Sequence, residues 1–223
     1  MNRDTRTWDA LVALAHKRGV EVREKEKAWQ MHALYWLGFM WIWNREFFPR
    51  YATAAIHIYV PAAWWRTEDG WKTLAHEIVH IDRNKARPVW TFLRYGSPQL
   101  LALLGLLGFL GLAWWPFYFL FALVPFFIAP IIPSTGRIDE ELHAYAMSVA
   151  CDNLVFREHG IVVRESTAIG RVDSLLTAGY FWPAGPWKKR IRDGLIADLD
   201  QRAALVSVTT SDIYRTIVQV REQ

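Results

Sequence analysis

The chain is poor in cysteine, and its first residues do not have the pattern of a signal peptide. Cys151 is its single cysteine, so no disulfide can form within the chain. A lone cysteine is compatible with a reducing compartment and is most often a small buried apolar residue. Residues 1–19 are charged throughout and lack the apolar core of a secretory leader. We therefore expect neither a disulfide-stabilised secreted domain nor signal-directed export.

The positive charge of the chain lacks the pattern typical of nucleic-acid binding. The net charge is +4 and the sequence pI is about 9.3. Its lysines and arginines form no regular stripe with interleaved aromatic residues. We therefore expect no nucleic-acid partner, while the composition is compatible with an oligomer.

One long segment lacks charge altogether. No charged residue occurs between Arg94 and Arg137, although 22% of the whole chain is charged. The segment 96–135 divides at residues 114–116 into two halves, each slightly short of the thickness of a bilayer core. We predict an apolar helical hairpin that contacts a lipid bilayer through residues 98–133, either spanning it or re-entrant. A hairpin buried in a soluble core is the alternative.

Basic residues flank this apolar segment on both sides. Arg83, Lys85, Arg87 and Arg94 precede it, and Arg137 follows it. The positive-inside bias places such residues on the cytoplasmic side of a membrane. The sequence thus predicts a membrane-associated protein whose two hairpin ends lie on the cytoplasmic face.

Periodicity predicts a mainly α-helical fold with a small β-sheet. Apolar residues recur at helical spacing over 7–17, 71–85 and 139–159. Between 52 and 61 they alternate with His57 and Tyr59, which predicts an edge or near-edge strand. The end of the chain is predicted to form an exposed amphipathic helical tail.

The sequence His76-Glu77-Ile78-Val79-His80 is an HExxH motif. Residues four apart lie on the same side of an α-helix, so both imidazoles can reach one tetrahedral Zn²⁺. Glu77 is placed to take a proton from a zinc-bound water and to deliver it to the leaving amine. The motif therefore predicts a zinc site with Glu77 as the general acid/base.

A catalytic zinc also needs a third protein ligand. Glu140, Glu141 and His143 follow the apolar segment on a predicted helix and are the candidates. Those that do not bind the metal would lie on a polar helix face or near the ligands. Asp82, two residues beyond His80, is placed either to orient a ligand imidazole or to pair with an arginine.

An HExxH motif followed by the Glu141-x-x-Ala144 helix resembles the gluzincin pattern. More narrowly, it is similar to the membrane zinc peptidases of the HtpX and CAAX-processing type and to the soluble minigluzincins. The resemblance implies that Glu141 is the third ligand. Tyr145 departs from the pattern, because the family has an aspartate there. Either Asp82 or Asp139 then supplies the contact that this aspartate makes, or the contact is absent.

We predict one zincin-like domain over residues 1–223, with an apolar hairpin inserted at 96–135 and a C-terminal helical tail at 181–223. The resemblance covers roughly residues 52–153 by the order of the motifs and does not account for the N-terminal helix or the tail. It implies a membrane-associated zinc endopeptidase that hydrolyses polypeptide substrates. With the positive-inside bias, the active site is expected on the cytoplasmic face. Two alternatives stay open. One is a soluble minigluzincin with a buried hairpin. The other is a membrane-inserting or phage-particle structural protein that keeps a zincin fold, with a structural or locally used metal.

Overall fold

The computed structural model of the chain describes residues 2–37, 53–54, 57–90, 135–161, 167–176, 188–208 and 211–223. In these ranges the protein is mainly helical with a small β-sheet, as the sequence predicts. The elements are α1 (Arg3–Lys17), β1 (Val22–Glu24), a 3₁₀ turn (Lys25–Lys27), α2 (Trp29–Leu37), β2 (Thr53–Ala54), β3 (Ile58–Val60), a second 3₁₀ turn (Ala62–Trp64), α3 (Glu68–Ala86), α4 (Thr135–Glu158), α5 (Ala168–Leu175), α6 (Lys188–Val208) and α7 (Asp212–Arg221). The three helices predicted from periodicity are confirmed as α1, α3 and α4.

The start of α3, the helix with the HExxH motif, is fixed by local contacts. The Thr67 side chain accepts a hydrogen bond from the Gly70 amide at 3.1 Å and donates one to the Trp64 carbonyl at 2.8 Å. Such a bond satisfies one of the free amides of a helix N-terminus. A Cβ at Gly70 would lie 1.7 Å from that carbonyl oxygen, so only glycine fits there. This close approach packs the first turn of α3 against the 3₁₀ turn that precedes it.

The sheet has the order β1-β3-β2, with β1 parallel and β2 antiparallel to β3. The range 52–61, predicted to form an edge or near-edge strand, contains β2 at one edge of the sheet and β3 next to it in the centre. Ile58 and Val60 are fully buried on one side, and Tyr59 is 3% exposed on the other, where it packs with Ala28 and Met31. A strand that is buried on both faces does not need a polar face. The alternation of residue types over 52–61 therefore gives no information on where β3 lies in the sheet.

One core joins the sheet to four helices. Its buried residues come from α1, β3, α3, α4 and α7, and include Trp8, Leu11, Ile58, Leu74, Ile78, Met147, Cys151, Ile213 and Ile217. Cys151, the single cysteine of the chain, is a fully buried residue of this core. Since α3 and α4 contribute to the same core, the helices that carry the site residues are held by apolar packing rather than by the site itself.

The last helix is part of the core and not an exposed tail. In α7, Ile213, Tyr214 and Ile217 are buried, and Arg221 is 5% exposed. The helix packs against α1. Its amphipathic pattern is real, but the apolar face meets another helix instead of solvent.

The described residues form two compact units. The first consists of Met1–Asp82, Ala144–Arg164 and Asp200–Gln223, and the second of Arg83–His143 and Glu165–Leu199. The apolar core above belongs to the first unit. In the second, Asp173 of α5 accepts hydrogen bonds from Arg192 of α6 at 2.6 and 3.0 Å.

Among the described helices, none combines the length and the apolar character needed to cross a membrane. The long helix α4, for example, carries Asp139, Glu140, Glu141 and Asp152, and charges are costly in a bilayer core. The predictions of a transmembrane helix and of a membrane-associated location with a cytoplasmic active site are corrected accordingly. The segment 96–135 on which they rested lies outside the described residues, apart from Thr135.

Candidate metal centre

The two histidines of the motif point toward each other along one side of α3. The ring centroids of His76 and His80 are 4.8 Å apart, and their Nε2 atoms are 3.1 Å apart. Ligands about 2.0–2.1 Å from a tetrahedral zinc are separated from each other by roughly 3.3 Å. The two nitrogens therefore already have nearly the spacing that one shared ion requires.

A buried carboxylate on α4 completes a three-ligand group. Among the described residues, His76, His80 and Glu141 offer one ligand atom each, and these atoms lie within 4.8 Å of one another. His76 is 9% exposed and Glu141 is 4% exposed. The longest separation exceeds the roughly 3.3 Å edge of a zinc tetrahedron, so metal binding must shorten it. Two imidazoles and one carboxylate are the donor set of several catalytic zinc sites.

The other two candidate ligands have different contacts. Glu140 accepts hydrogen bonds from the guanidinium of Arg83, from Nε and, at 2.9 Å, from a terminal nitrogen. His143 is turned toward its own helix, where its Nδ1 lies 2.7 Å from the Asp139 carbonyl oxygen. Among the described residues, neither Glu140 nor His143 belongs to the group of close ligand atoms that contains the two histidines.

The two carboxylates considered for orienting the imidazoles, Asp82 and Asp139, contact other residues. Asp82 accepts a hydrogen bond from Arg18 at 2.6 Å. Asp139 lies 3.7 Å from Arg83 and 3.6 Å from the His143 ring nitrogen. Of the two alternatives for Asp82, the structure therefore shows the pairing with an arginine.

Two residues of α4 that sequence reasoning missed contact His76 instead. The Ser148 hydroxyl lies 3.2 Å from His76 Nδ1, and Ser148 is 3% exposed. The ring of Tyr145 packs against the His76 ring, with centroids 4.9 Å apart. Tyr145 stands where the gluzincin pattern has aspartate, so here an aromatic ring and a hydroxyl surround the imidazole. A helical spacing from Glu141, through Tyr145 to Ser148, was the available signal.

Glu77 is buried, at 7% exposed, and a second buried charge lies within electrostatic reach of it. Lys25, in the 3₁₀ turn after β1, has no solvent exposure. Burial lowers the pKa of its ammonium to about 8, against the opposing effects of the Glu77 and Glu26 charges. No feature of the sequence near Lys25 pointed to the site.

A buried ion-pair group links α3 to α4 one turn before the motif. The Lys72 ammonium lies 2.6 Å from a Glu68 carboxylate oxygen and 2.9 Å from one of Asp152. Burial acts to lower the pKa of Lys72, but the hydrogen bonds to Glu68 and Asp152 outweigh it and raise that pKa. Because Lys72 and His76 are one turn apart, this contact fixes the height of the motif relative to α4.

Comparisons of the chain with protein-family models, with curated proteins and with solved structures found no match. The resemblance to gluzincins therefore stays a prediction that rests on the motif residues.

Proposed function

We propose that this protein is a zinc-dependent endopeptidase with a zincin-like arrangement, in which His76, His80 and Glu141 hold the metal. The observation that carries the proposal is the meeting of these three ligand atoms within 4.8 Å, although Glu141 lies 61 positions after His80 in the chain. Glu77 follows His76 directly, so it is adjacent to the metal position without belonging to the ligand group.

The number of ligands favours catalysis over a purely structural metal. Structural zinc sites are usually closed by four protein ligands, whereas catalytic sites keep one position open for water or substrate. The group in the described part of the chain contains three residues. This count argues against the alternative of a structural protein with a structural metal.

Each residue then has a defined task. Bound zinc would supply a water acidic enough to attack a carbonyl near neutral pH. The Glu77 carboxylate accepts the proton of the attacking water and transfers it to the leaving amine. The Ser148 hydroxyl lies 3.2 Å from His76 Nδ1. In the tautomer that carries its proton on Nδ1, His76 would donate that hydrogen bond to Ser148 and keep its Nε2 lone pair for the metal.

The sheet supports a polypeptide as substrate. Residues of β3 share a core with α3, and in the described sheet β1 and β2 form the two edges. An extended peptide can add to a sheet edge through main-chain hydrogen bonds. Such binding recognises backbone rather than side chains, as expected of a peptidase.

Replacing the general base tests the proposal. We expect Glu77→Gln to lose about a hundredfold or more in peptide hydrolysis, because proton transfer is removed. Bound zinc should stay the same, since Glu77 is not a ligand. Hydrolysis of casein and of a quenched fluorescent peptide, with metal content measured by atomic absorption, gives both quantities.

The matched control is Asp69→Asn, which removes one negative charge from an exposed position of the same helix. It should retain both zinc and activity. Bound zinc with equal hydrolysis by the parent and by Glu77→Gln would reject the peptidase assignment. Parent protein without zinc would reject the metal site itself.

A further inference from the structure

The buried ammonium of Lys72 has two carboxylate partners of different kinds. It lies 2.6 Å from an oxygen of Glu68, four residues earlier on α3, and 2.9 Å from an oxygen of Asp152 on α4. Lys72 is 8% exposed, so its charge is largely removed from water. The Glu68 side chain is 42% exposed and that of Asp152 is 16% exposed. Of these two contacts, the one with Asp152 joins the two helices, and it is the more buried of the two.

The contacts between α3 and α4 follow a regular order. Lys72 meets Asp152, and one turn later on α3 the Nδ1 atom of His76 lies 3.2 Å from the hydroxyl of Ser148, one turn earlier on α4. A step of four residues corresponds to about 6 Å along a helix axis. The two helices are therefore antiparallel here, and consecutive turns of one face consecutive turns of the other.

Apolar packing alone does not fix the position of one helix along another. Both helices contribute to one core, through residues that include Leu74, Ile78, Met147 and Cys151. Burial of apolar surface has no preferred direction, so a small slide of one helix changes it little. A buried ion pair contributes little net stability, but separating its charges leaves each of them buried without a partner, which is strongly unfavourable. The contact between Lys72 and Asp152 therefore favours one position of α3 along α4.

The candidate metal centre depends on this position. His76 and His80 come from α3 and Glu141 comes from α4, and their ligand atoms lie within 4.8 Å of one another. Distances from a bound metal to its ligands must fall within about 0.2 Å of their ordinary values. A slide of α3 along α4 by a fraction of a turn would change the separation of Glu141 from both histidines together. The ligand geometry thus requires the helices to be held in place.

We propose that Lys72 and Asp152 are positioning residues for the metal. Their ion pair holds α3 at the position along α4 where Glu141 and the two motif histidines can bind one Zn²⁺. The inference rests on the metal site of the proposed function but not on peptide hydrolysis, since zinc binding tests it directly. It also makes a distinction between the two partners of Lys72: the contact with Asp152 matters for zinc affinity, and the contact with Glu68 does not.

The first experiment compares Asp152→Asn with its matched control Glu68→Gln in the full chain. Each variant removes one carboxylate charge from the same ammonium and nearly keeps the size of the side chain, but only Asp152→Asn breaks the link between helices. We expect Asp152→Asn to weaken zinc binding about tenfold, as other groups that orient metal ligands do. Glu68→Gln should leave the zinc dissociation constant unchanged. Competition with a chromogenic zinc chelator measures it, at a temperature where circular dichroism shows each variant to be folded.

A merely structural role gives a different result. It would lower the unfolding midpoint of the chelator-treated Asp152→Asn protein and leave its zinc dissociation constant equal to that of the parent, which would overturn the inference. Equal losses of zinc affinity in Asp152→Asn and Glu68→Gln would overturn it as well, because the link between helices would then have no special effect. If Asp152→Asn does not fold, Asp152→Glu takes its place, since it keeps the charge but lengthens the contact.

The second experiment measures zinc affinity in a cycle of Lys72→Met, Asp152→Asn and the double variant. If the two residues act as a pair, Asp152→Asn weakens zinc binding less in the Lys72→Met background than in the parent. Equal losses in both backgrounds would overturn the pairing. A parent that binds no zinc would reject the proposed metal site and this inference together. A parent that binds zinc as tightly as Asp152→Asn would reject this inference alone.

Discussion

His76 has two ring nitrogens, and each faces a different partner. Its Nε2 lies 3.1 Å from Nε2 of His80, and its Nδ1 lies 3.2 Å from the hydroxyl of Ser148. A hydrogen bond at one nitrogen of an imidazole decides which tautomer is present and therefore which nitrogen can bind a metal. At the scale of single residues, the proposed site thus depends on a serine that does not touch the metal.

Ser148→Ala tests that dependence. We expect zinc affinity to fall about tenfold, because groups that orient a metal-bound histidine contribute roughly that much or more. Competition with a chromogenic zinc chelator measures the dissociation constant. Ser174→Ala is the control, since the Ser174 hydroxyl donates to the Arg171 carbonyl within α5. An unchanged dissociation constant for Ser148→Ala would show that His76 is oriented by packing alone.

At the scale of elements, the ends of four helices meet in one ion-pair group. Arg221 of α7 donates to Glu158 of α4 at 2.6–3.0 Å and to Asp4 of α1 at 2.8 Å. Its guanidinium also lies over the Trp71 ring of α3, 4.9 Å from the centroid, and the Trp71 indole donates to Asp4 at 3.0 Å. Burial opposes the charge of Arg221, but Glu158 and Asp4 together raise its pKa. The group connects the helix with the motif to the first and last helices of the chain.

Arg221→Met should therefore destabilise the fold. Arg221 is 5% exposed, and its loss leaves two carboxylates without their common partner. We expect the free energy of unfolding to fall by about 2–3 kcal/mol, at the lower end for breaking a buried pair because Asp4 and Glu158 keep some solvent contact. Urea denaturation followed by circular dichroism measures it. Arg215→Met, which removes an exposed ion pair with Asp212 on the same helix, should cost less than about 0.5 kcal/mol. Equal losses in both variants would contradict this account.

The strands show that a local pattern predicts a strand more readily than the position of that strand in its sheet. Residues 58–60 form a strand within the predicted range, yet the strand is central. Strand formation follows from local β-branched and aromatic residues. Its position in the sheet depends on β1 and β2, which are short and give little periodic signal of their own. β3 is central because it pairs both with β2, its neighbour in the sequence, and with β1, which is distant from it.

At the scale of the whole molecule, a metal held by residues of α3 and α4 would bind the folded chain and not the unfolded one. Ligands with this preference raise stability in proportion to the logarithm of their concentration. At zinc a hundredfold above its dissociation constant, we expect the unfolding midpoint to rise by about 5 °C or more relative to chelator-treated protein. Differential scanning fluorimetry measures the shift.

The matched variants are His80→Ala and His16→Ala. His80 belongs to the ligand group, so its loss should abolish the zinc-dependent rise. His16 is exposed near the end of α1, and its removal should leave the rise intact. A rise of similar size in all three proteins would point to zinc binding elsewhere on the chain.

The sequence by itself determined the motif helix and the pairing of its histidines. Both depend on local rules: the helical period places His76 and His80 on one side, and Thr67 with the acidic residues after it begins the helix. It also determined the mainly helical fold, because apolar periodicity is a local property. The charge-free segment was read as a membrane hairpin by composition alone, and the location derived from it is corrected.

Only the tertiary structure decided which neighbours of the motif reach it. Glu140, Glu141 and His143 are close in sequence, but each helix position turns by about 100°, so they face different directions. The face of α4 that meets α3 is fixed by the shared core, and it brings Glu141, Tyr145 and Ser148 toward the histidines. Contacts of this kind depend on packing between distant segments, which no local pattern encodes.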